Sequence, residues 1–509
     1  MKTLLLLAAA IVASPCAIAQ AGEAPARQDE GRVGINLGGV TYYSTEIPFV
    51  DAMKMSKPFV PQQKGQPYGK GPTPELREDG YPKQFAPDSW VDTITLSTGG
   101  HYAGGRYVCL YEGKGALEFT NDAKVVSREP GRILLDVTPK NGIHMKLAAT
   151  DSSDPIRNVR IVPQDAEATY EKQPFGQEFL KRWSNMKVLR FMDWMRTNGS
   201  TVKDWADRPK PTDQTQGAKG VALEYMIQLA NALKADPWFC MPHLATDDFV
   251  RRFAGMAREK LDKDRKIYVE YSNETWNFIF PQTRYCVEQG KKLALSDNEF
   301  QGALRYHAQR AGEIFKIWEE VFGGRQRLVR VLASHHANPW VTEQILSWKD
   351  AAKNADAVAT APYFGNVFGN PKTADEVAAL PVEQILDRCK DIVATERKTM
   401  EKQAELARKS GVKLFAYEFG QHLVGHGGAE NNEKLMNLFI AANRHPLMHD
   451  LYLEHLRNWR DTGGDLVMIF SSMGRPSKWG SWGILEYEGQ DPATAPKFRA
   501  VQEFIEGKR

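Results

Sequence analysis

Apolar positions gather into eight short runs, at residues 33–40, 187–191, 237–241, 267–271, 328–332, 357–360, 413–417 and 466–470. Each has the length and near-continuous hydrophobicity of a strand buried on both faces. The stretches between them carry a different period. Residues 223–233 place apolar side chains at 223, 226, 227, 230 and 233, which predicts an amphipathic helix. A longer helix is predicted from about 300 to 322, stopped by Gly323 and Gly324. Eight strands alternating with helices over roughly 300 residues predict a (β/α)8 TIM barrel of the α/β class. An open doubly wound sheet is the competing architecture, but no glycine-rich dinucleotide fingerprint follows any of the runs.

The periodicity breaks after the first run. Residues 57–89 are rich in proline and glycine and read as a long loop. Residues 90–165 hold short β-type runs separated by turn signals such as Lys140-Asn141-Gly142, which predicts a small antiparallel β-sandwich inserted after the first barrel strand. Such an insert either binds carbohydrate or buttresses its neighbour. The expected organisation is a first-strand region at 32–56, the loop, the insert, and the remainder of the barrel at 170–509.

Composition narrows the function classes. Among 509 residues, 42% are hydrophobic, which excludes a disordered chain, and 66 Lys+Arg stand against 63 Asp+Glu. A formal charge of +3 gives no footing for a nucleic-acid partner. Lys2, the apolar run 4–12 and a small-x-small site near Ala19 read as a signal peptide over residues 1–21, so the expected location is secreted or periplasmic. Pro15 before Cys16 argues against lipidation, and no later run approaches a membrane span, so no membrane anchor is expected. Cys109, Cys240, Cys286 and Cys389 remain, with no metal spacing; disulfides and buried thiols are both open, and no redox role is expected.

In a barrel of this kind the chemistry stands at the C-terminal ends of the strands. Two carboxylates each follow an apolar run directly: Glu274 at the end of the fourth strand and Glu418 at the end of the seventh. Hydrolysis of a glycosidic bond needs two flanking carboxyls, one protonated and one ionised, and strands four and seven face each other across the mouth. Other polar and aromatic groups at strand ends are Arg190, His243, His336, Tyr363 and Trp482.

Asn273-Glu274 after a fourth strand and Glu418 within Tyr417-Glu418-Phe419-Gly420 after a seventh resemble the signature of the clan A glycoside hydrolases, retaining enzymes on the (β/α)8 fold. Residues 268–277 also resemble bacterial exported proteins loosely described as cellulose-binding. The resemblance implies Glu274 as acid/base, Glu418 as nucleophile, and Asn273 as the contact to the hydroxyl beside the anomeric carbon. It further implies that Arg190 and Tyr363 orient the nucleophile and that Trp482 floors the subsite before the cleavage point.

The expected function is therefore a retaining hydrolase of β-linked polysaccharide or oligosaccharide, an endo-acting β-glycanase such as a glucanase, with a carbohydrate substrate and no cofactor. An exported carbohydrate-binding protein on a barrel scaffold is the alternative. His243, His336 and His422 are expected near the mouth as substrate contacts. None has metal spacing, and adjacent His335 and His336 should point to opposite sides of their strand.

Overall fold

A computed structural model describes residues 32–507. The expected signal peptide lies outside the described residues. Eight parallel strands form a closed barrel in chain order: Arg32–Asn36, Val188–Arg190, Asp236–Met241, Ile267–Tyr271, Leu328–Ala333, Ala357–Thr360, Lys413–Ala416 and Gly464–Ile469. Closure runs through the first and last strands, with Gly34 opposite Met468. A side chain at Gly34 would put its Cβ 2.4 Å from the Met468 sulfur and 2.6 Å from the Val188 carbonyl, so only glycine lets these strands approach.

The strands are apolar because helices cover their outer faces and packed side chains fill the interior. The helix at Leu223–Leu233 buries Leu223, Met226, Ile227, Leu229, Ala230 and Leu233, the stripe that its sequence predicts. The helix Glu299–Phe322 starts where Asn298 accepts from the Gln301 amide and ends at Gly323 in the left-handed conformation.

Between the first and second strands the chain builds two four-stranded antiparallel sheets. One orders Val60–Gln63, Ser89–Thr95, Ile143–Thr150 and Gly115–Asn121; the other orders Ala123–Glu129, Arg132–Val137, Gly105–Glu112 and Arg157–Pro163. The Pro/Gly-rich loop thus contributes a strand, Val60–Gln63, at a sheet edge, where Pro61 breaks no inner ladder. Gly115–Asn121 and Ala123–Glu129 carry too few apolar residues to read as strands by themselves; only pairing with better-buried neighbours defines them. The segment before these sheets is tied on both sides: the Gln214 amide, beyond the second strand, donates to Ser56 Oγ at 2.6 Å, and Asp51 accepts from the Ile161 amide of the second sheet at 2.9 Å.

The four cysteines are buried, unbridged thiols. Among the described residues no helix is long and apolar enough to cross a membrane.

Two interior histidines set an acid limit on the fold. His307 meets Thr275 Oγ1 at 2.9 Å and His455 meets the Pro362 carbonyl at 2.7 Å, and burial pushes each down to about 4. The folded state favours the neutral ring, so this contribution is present above the ordinary value of 6.5 and is lost as pH falls toward 4. The urea midpoint is expected to fall across that window and His455→Gln to flatten the slope; equal slopes in the two proteins would contradict this.

Candidate active site

The site is built around one buried guanidinium. Arg190, the last residue of the second strand, is fully buried in the barrel interior. Its Nε and Nη2 grip Glu270 at 3.0 to 3.1 Å, Nη1 donates to Asn36 Oδ1 at 3.0 Å and to Glu418 at 3.1 Å, and Nη2 also reaches Asn273 Oδ1 at 2.9 Å. Burial works against its charge and is outweighed by the Glu270 and Glu418 carboxylates, which hold it protonated. Glu270 is completed by the Trp238 indole N–H at 2.8 Å and the Cys240 thiol at 3.3 Å.

Glu418, after the seventh strand, has a donor on each oxygen: Arg190 on Oε1 and the Tyr363 hydroxyl on Oε2 at 2.9 Å. Burial pushes its carboxyl up, to about 8, with Arg190 and Tyr363 opposing and Glu274 adding to the rise. Two neighbouring carboxyls coupled in this way hold a proton as a pair. Of the two, only Glu418 has a charged donor, the Arg190 guanidinium that it shares with Glu270, so the anion of the pair is best placed there.

Glu274 faces the mouth from a tight turn. Ser272 and Glu274 both have positive φ, 59° and 42°, in a region that non-glycine residues occupy at a cost of order 1–3 kcal/mol. The turn sends Asn273 inward to Arg190 while Glu274 accepts from Tyr417 Oη and Asn277 Nδ2, each at 2.9 Å. Asn273 Nδ2 donates to Asn198 at 3.0 Å, and Gln282 ties Asn198 to the Asn273 carbonyl. Burial and the adjoining carboxylates push the Tyr363 and Tyr417 phenols well up, so both remain donors.

Trp482 stands beside this pair. Its indole donates to the Trp479 carbonyl at 2.7 Å, and its ring makes edge contacts with Tyr363, His422 and Phe470 at 5.1 to 5.7 Å between centroids. A Cβ at Gly480 would lie 2.4 Å from the Trp482 nitrogen, which leaves glycine as the residue that fits.

The structure therefore brings Arg190, Asn273, Glu274, Tyr363, Glu418 and Trp482 together. His336 departs from expectation: it turns to the helical layer, with Nδ1 at 3.1 Å from Thr360 Oγ1 and Nε2 at 3.2 Å from Glu396 on the helix Val382–Lys409. Both histidines lie beyond the strand end at Ala333, and His335 is the exposed one of the two, held down by burial while the Glu274 charge opposes. His243 is buried against Tyr285 and is pushed down to about 4 by burial; no hydrogen bond joins its ring to either carboxyl.

Asn36, Glu270 and Tyr417 were not singled out by sequence reasoning. A carboxylate in the otherwise apolar run 267–271 and an amide within 33–40 were the available signals, since an uncompensated buried polar group is costly. Nothing local marks Tyr417, which reaches across the mouth to Glu274.

No protein-family profile matches the chain, and no curated protein is similar to it. Solved structures similar in part include an arabinofuranosidase from Xanthomonas axonopodis pv. citri, with 10% identity, TM-score 0.38, 59% of this chain and 61% of that one. A 4-O-α-L-rhamnosyl-β-D-glucuronidase from Fusarium oxysporum gives 11%, 0.41, 67% and 66%, and an endo-β-1,4-mannanase from Thermotoga petrophila gives 12%, 0.31, 65% and 73%. The alignment thus spans less than two thirds of the first two proteins. At these values the likeness carries no functional assignment. The strand pairing is that of a closed eight-stranded (β/α)8 barrel, the fold on which clan A glycoside hydrolases are built.

Proposed function

We propose that this chain is an exported glycoside hydrolase of clan A type that cleaves a β-linked polysaccharide or oligosaccharide with retention, as an endo-acting β-glycanase such as a glucanase. One observation carries the reading: two carboxyls at the ends of the fourth and seventh strands stand in different donor sets, one charged and one neutral, and are joined through Arg190 and Asn273. Glu418, facing Arg190 and Tyr363, attacks the anomeric carbon. Glu274 gives its proton to the leaving oxygen and then, as a base, takes one from the water that releases the glycosyl unit. Asn273, held from both sides, presents its amide to the hydroxyl beside the reacting carbon, and Trp482 offers a flat face to the ring. The two antiparallel sheets are read as one sandwich-like module that supports the barrel.

The test is reducing-sugar release from soluble β-glucans, xylan, mannan, galactan and chitosan, with Glu274→Ala beside the wild type. Release by the wild type supports the reading, and silence on every polymer combined with measurable binding would favour a carbohydrate-binding protein. Loss of general acid catalysis costs about 10²- to 10⁴-fold. Glu274→Ala is therefore expected to lose that much on polymer and far less on an aryl glycoside with a good leaving group, where added azide restores turnover. Azide rescue at Glu418 in place of Glu274 would exchange the two roles.

A further inference from the structure

Lys497, the second residue of the helix Pro496–Ile505, is only 5% exposed. Three features make this a costly place for an ammonium. Its charge is removed from water, among the described residues no carboxylate stands within ion-pair distance of it, and the first turn of a helix disfavours a cation. Glu486, which acts on it through space, is already held by Arg444 with a donor at 2.7 Å on each oxygen.

Its partner is a carbonyl. Lys497 Nζ donates to the Ser481 oxygen, and Gln421 Nε2 donates to the same oxygen at 3.0 Å, so both lone pairs of that carbonyl are occupied. Gln421 is fixed in turn: its Oε1 accepts from the Leu423 amide at 2.7 Å, and its backbone pairs, as Gly420–Gln421, with Tyr363–Phe364. The Ser481 carbonyl belongs to the peptide that enters Trp482, and the Trp482 carbonyl accepts from the Ser471 amide at 3.0 Å. Trp482 is thereby pinned on both sides of its Cα, and its ring is held where it meets Tyr363, His422 and Phe470. A hydrogen bond from a charged donor is stronger than a neutral one, and the buried, low-dielectric surroundings strengthen it further.

We infer that Lys497 is a positioning residue of the sugar site: with Gln421 it locks the Ser481–Trp482 peptide and so fixes the plane of the Trp482 ring, acting through Trp482 rather than on the substrate. The inference rests on the hydrolase reading above, in which Trp482 offers its face to the sugar, and adds to it the group that holds that face in place.

The experiment places Lys497→Met, Trp482→Ala and the double variant in one cycle of kcat/KM on aryl β-glucoside, β-mannoside and β-xyloside, with thermal melting and amide hydrogen exchange of the full chain. Loss of a hydrogen bond from a charged group corresponds to about tenfold to a hundredfold. Lys497→Met is expected to lose that much when Trp482 is present and no more than about twofold when residue 482 is alanine. Its Tm is expected to hold or rise, since methionine fills the site without a buried charge. Exchange over residues 480–484 is expected to quicken while the strand Leu328–Ala333 keeps its protection. Equal losses with and without the Trp482 ring, accompanied by a fall in Tm, would make Lys497 a structural residue and overturn the inference, and so would unchanged exchange in the loop. Lys497→Leu, which also lacks a donor, serves the same comparisons should the methionine variant fail to fold. A wild type inactive on every glycoside would remove the hydrolase reading, and the exchange measurement would then decide by itself whether Lys497 holds the loop.

Discussion

Glu418→Ala is expected to abolish turnover, by on the order of 10⁴-fold or more, while leaving the fold and carbohydrate binding in place. Both oxygens of Glu418 are engaged by Arg190 and Tyr363, so the side chain is held in one orientation toward the mouth. Its removal deletes the proposed attacking atom without opening the strand ladder. Wild-type rates in the variant would remove the proposed nucleophile outright. The same residue leaves a signature in stability. Burial, with Glu274 adding to the rise, pushes it up to about 8 from an ordinary 4.5, so the folded carboxyl pair binds its one proton more tightly than the unfolded chain. The associated stabilisation is present in full below about 4.5 and is lost as pH rises through about 8. Glu418→Gln, which carries no charge at any pH, is expected to melt at a progressively higher temperature than wild type as pH is raised across that window. A difference in Tm that stays constant with pH would refute this.

Arg190→Met is expected to carry the largest stability loss. The guanidinium is the shared partner of two carboxylates, Glu270 and Glu418, inside the barrel, and its side chain has no exposure to solvent. Breaking a buried pair by removing one partner costs about 3–5 kcal/mol, because the remaining charge is left uncompensated. Urea unfolding of the variant should show that loss, together with loss of turnover as Glu418 and Asn273 lose their common donor. Arg190→Lys guards against a variant that does not fold. A single ammonium can keep the charge but cannot span Glu270, Asn36, Asn273 and Glu418 at once, so stability is expected to recover in part and activity to stay low. Full activity in Arg190→Lys would show that the fork geometry is dispensable.

The barrel was legible because its signal is local. Strands covered on both faces must be apolar along their whole length, and helices that pack on them must carry a stripe, so the runs at 267–271 and 223–233 announce their elements without reference to anything distant. The carboxyls were legible for a related reason, since a charged residue directly after an apolar run can only stand at the mouth. The polar strands Gly115–Asn121 and Ala123–Glu129 were not legible, because most of their residues face solvent and only cross-strand pairing makes them strands.

The sequence by itself determined the order of the eight strands, the helices between them and the place of two carboxyls after the fourth and seventh strands. Only the tertiary structure decided what surrounds those carboxyls. Arg190 meets Glu270, 80 positions away, and Glu418, 228 positions away; Tyr417 reaches Glu274 across 143 positions. It also decided that His336 turns to Glu396 on the helical layer, while His335 stays exposed within reach of the Glu274 charge. Hydrophobic period reports the face a residue shares with its neighbours in the chain. Barrel closure determines which residue from a distant strand stands opposite, and no local pattern encodes that.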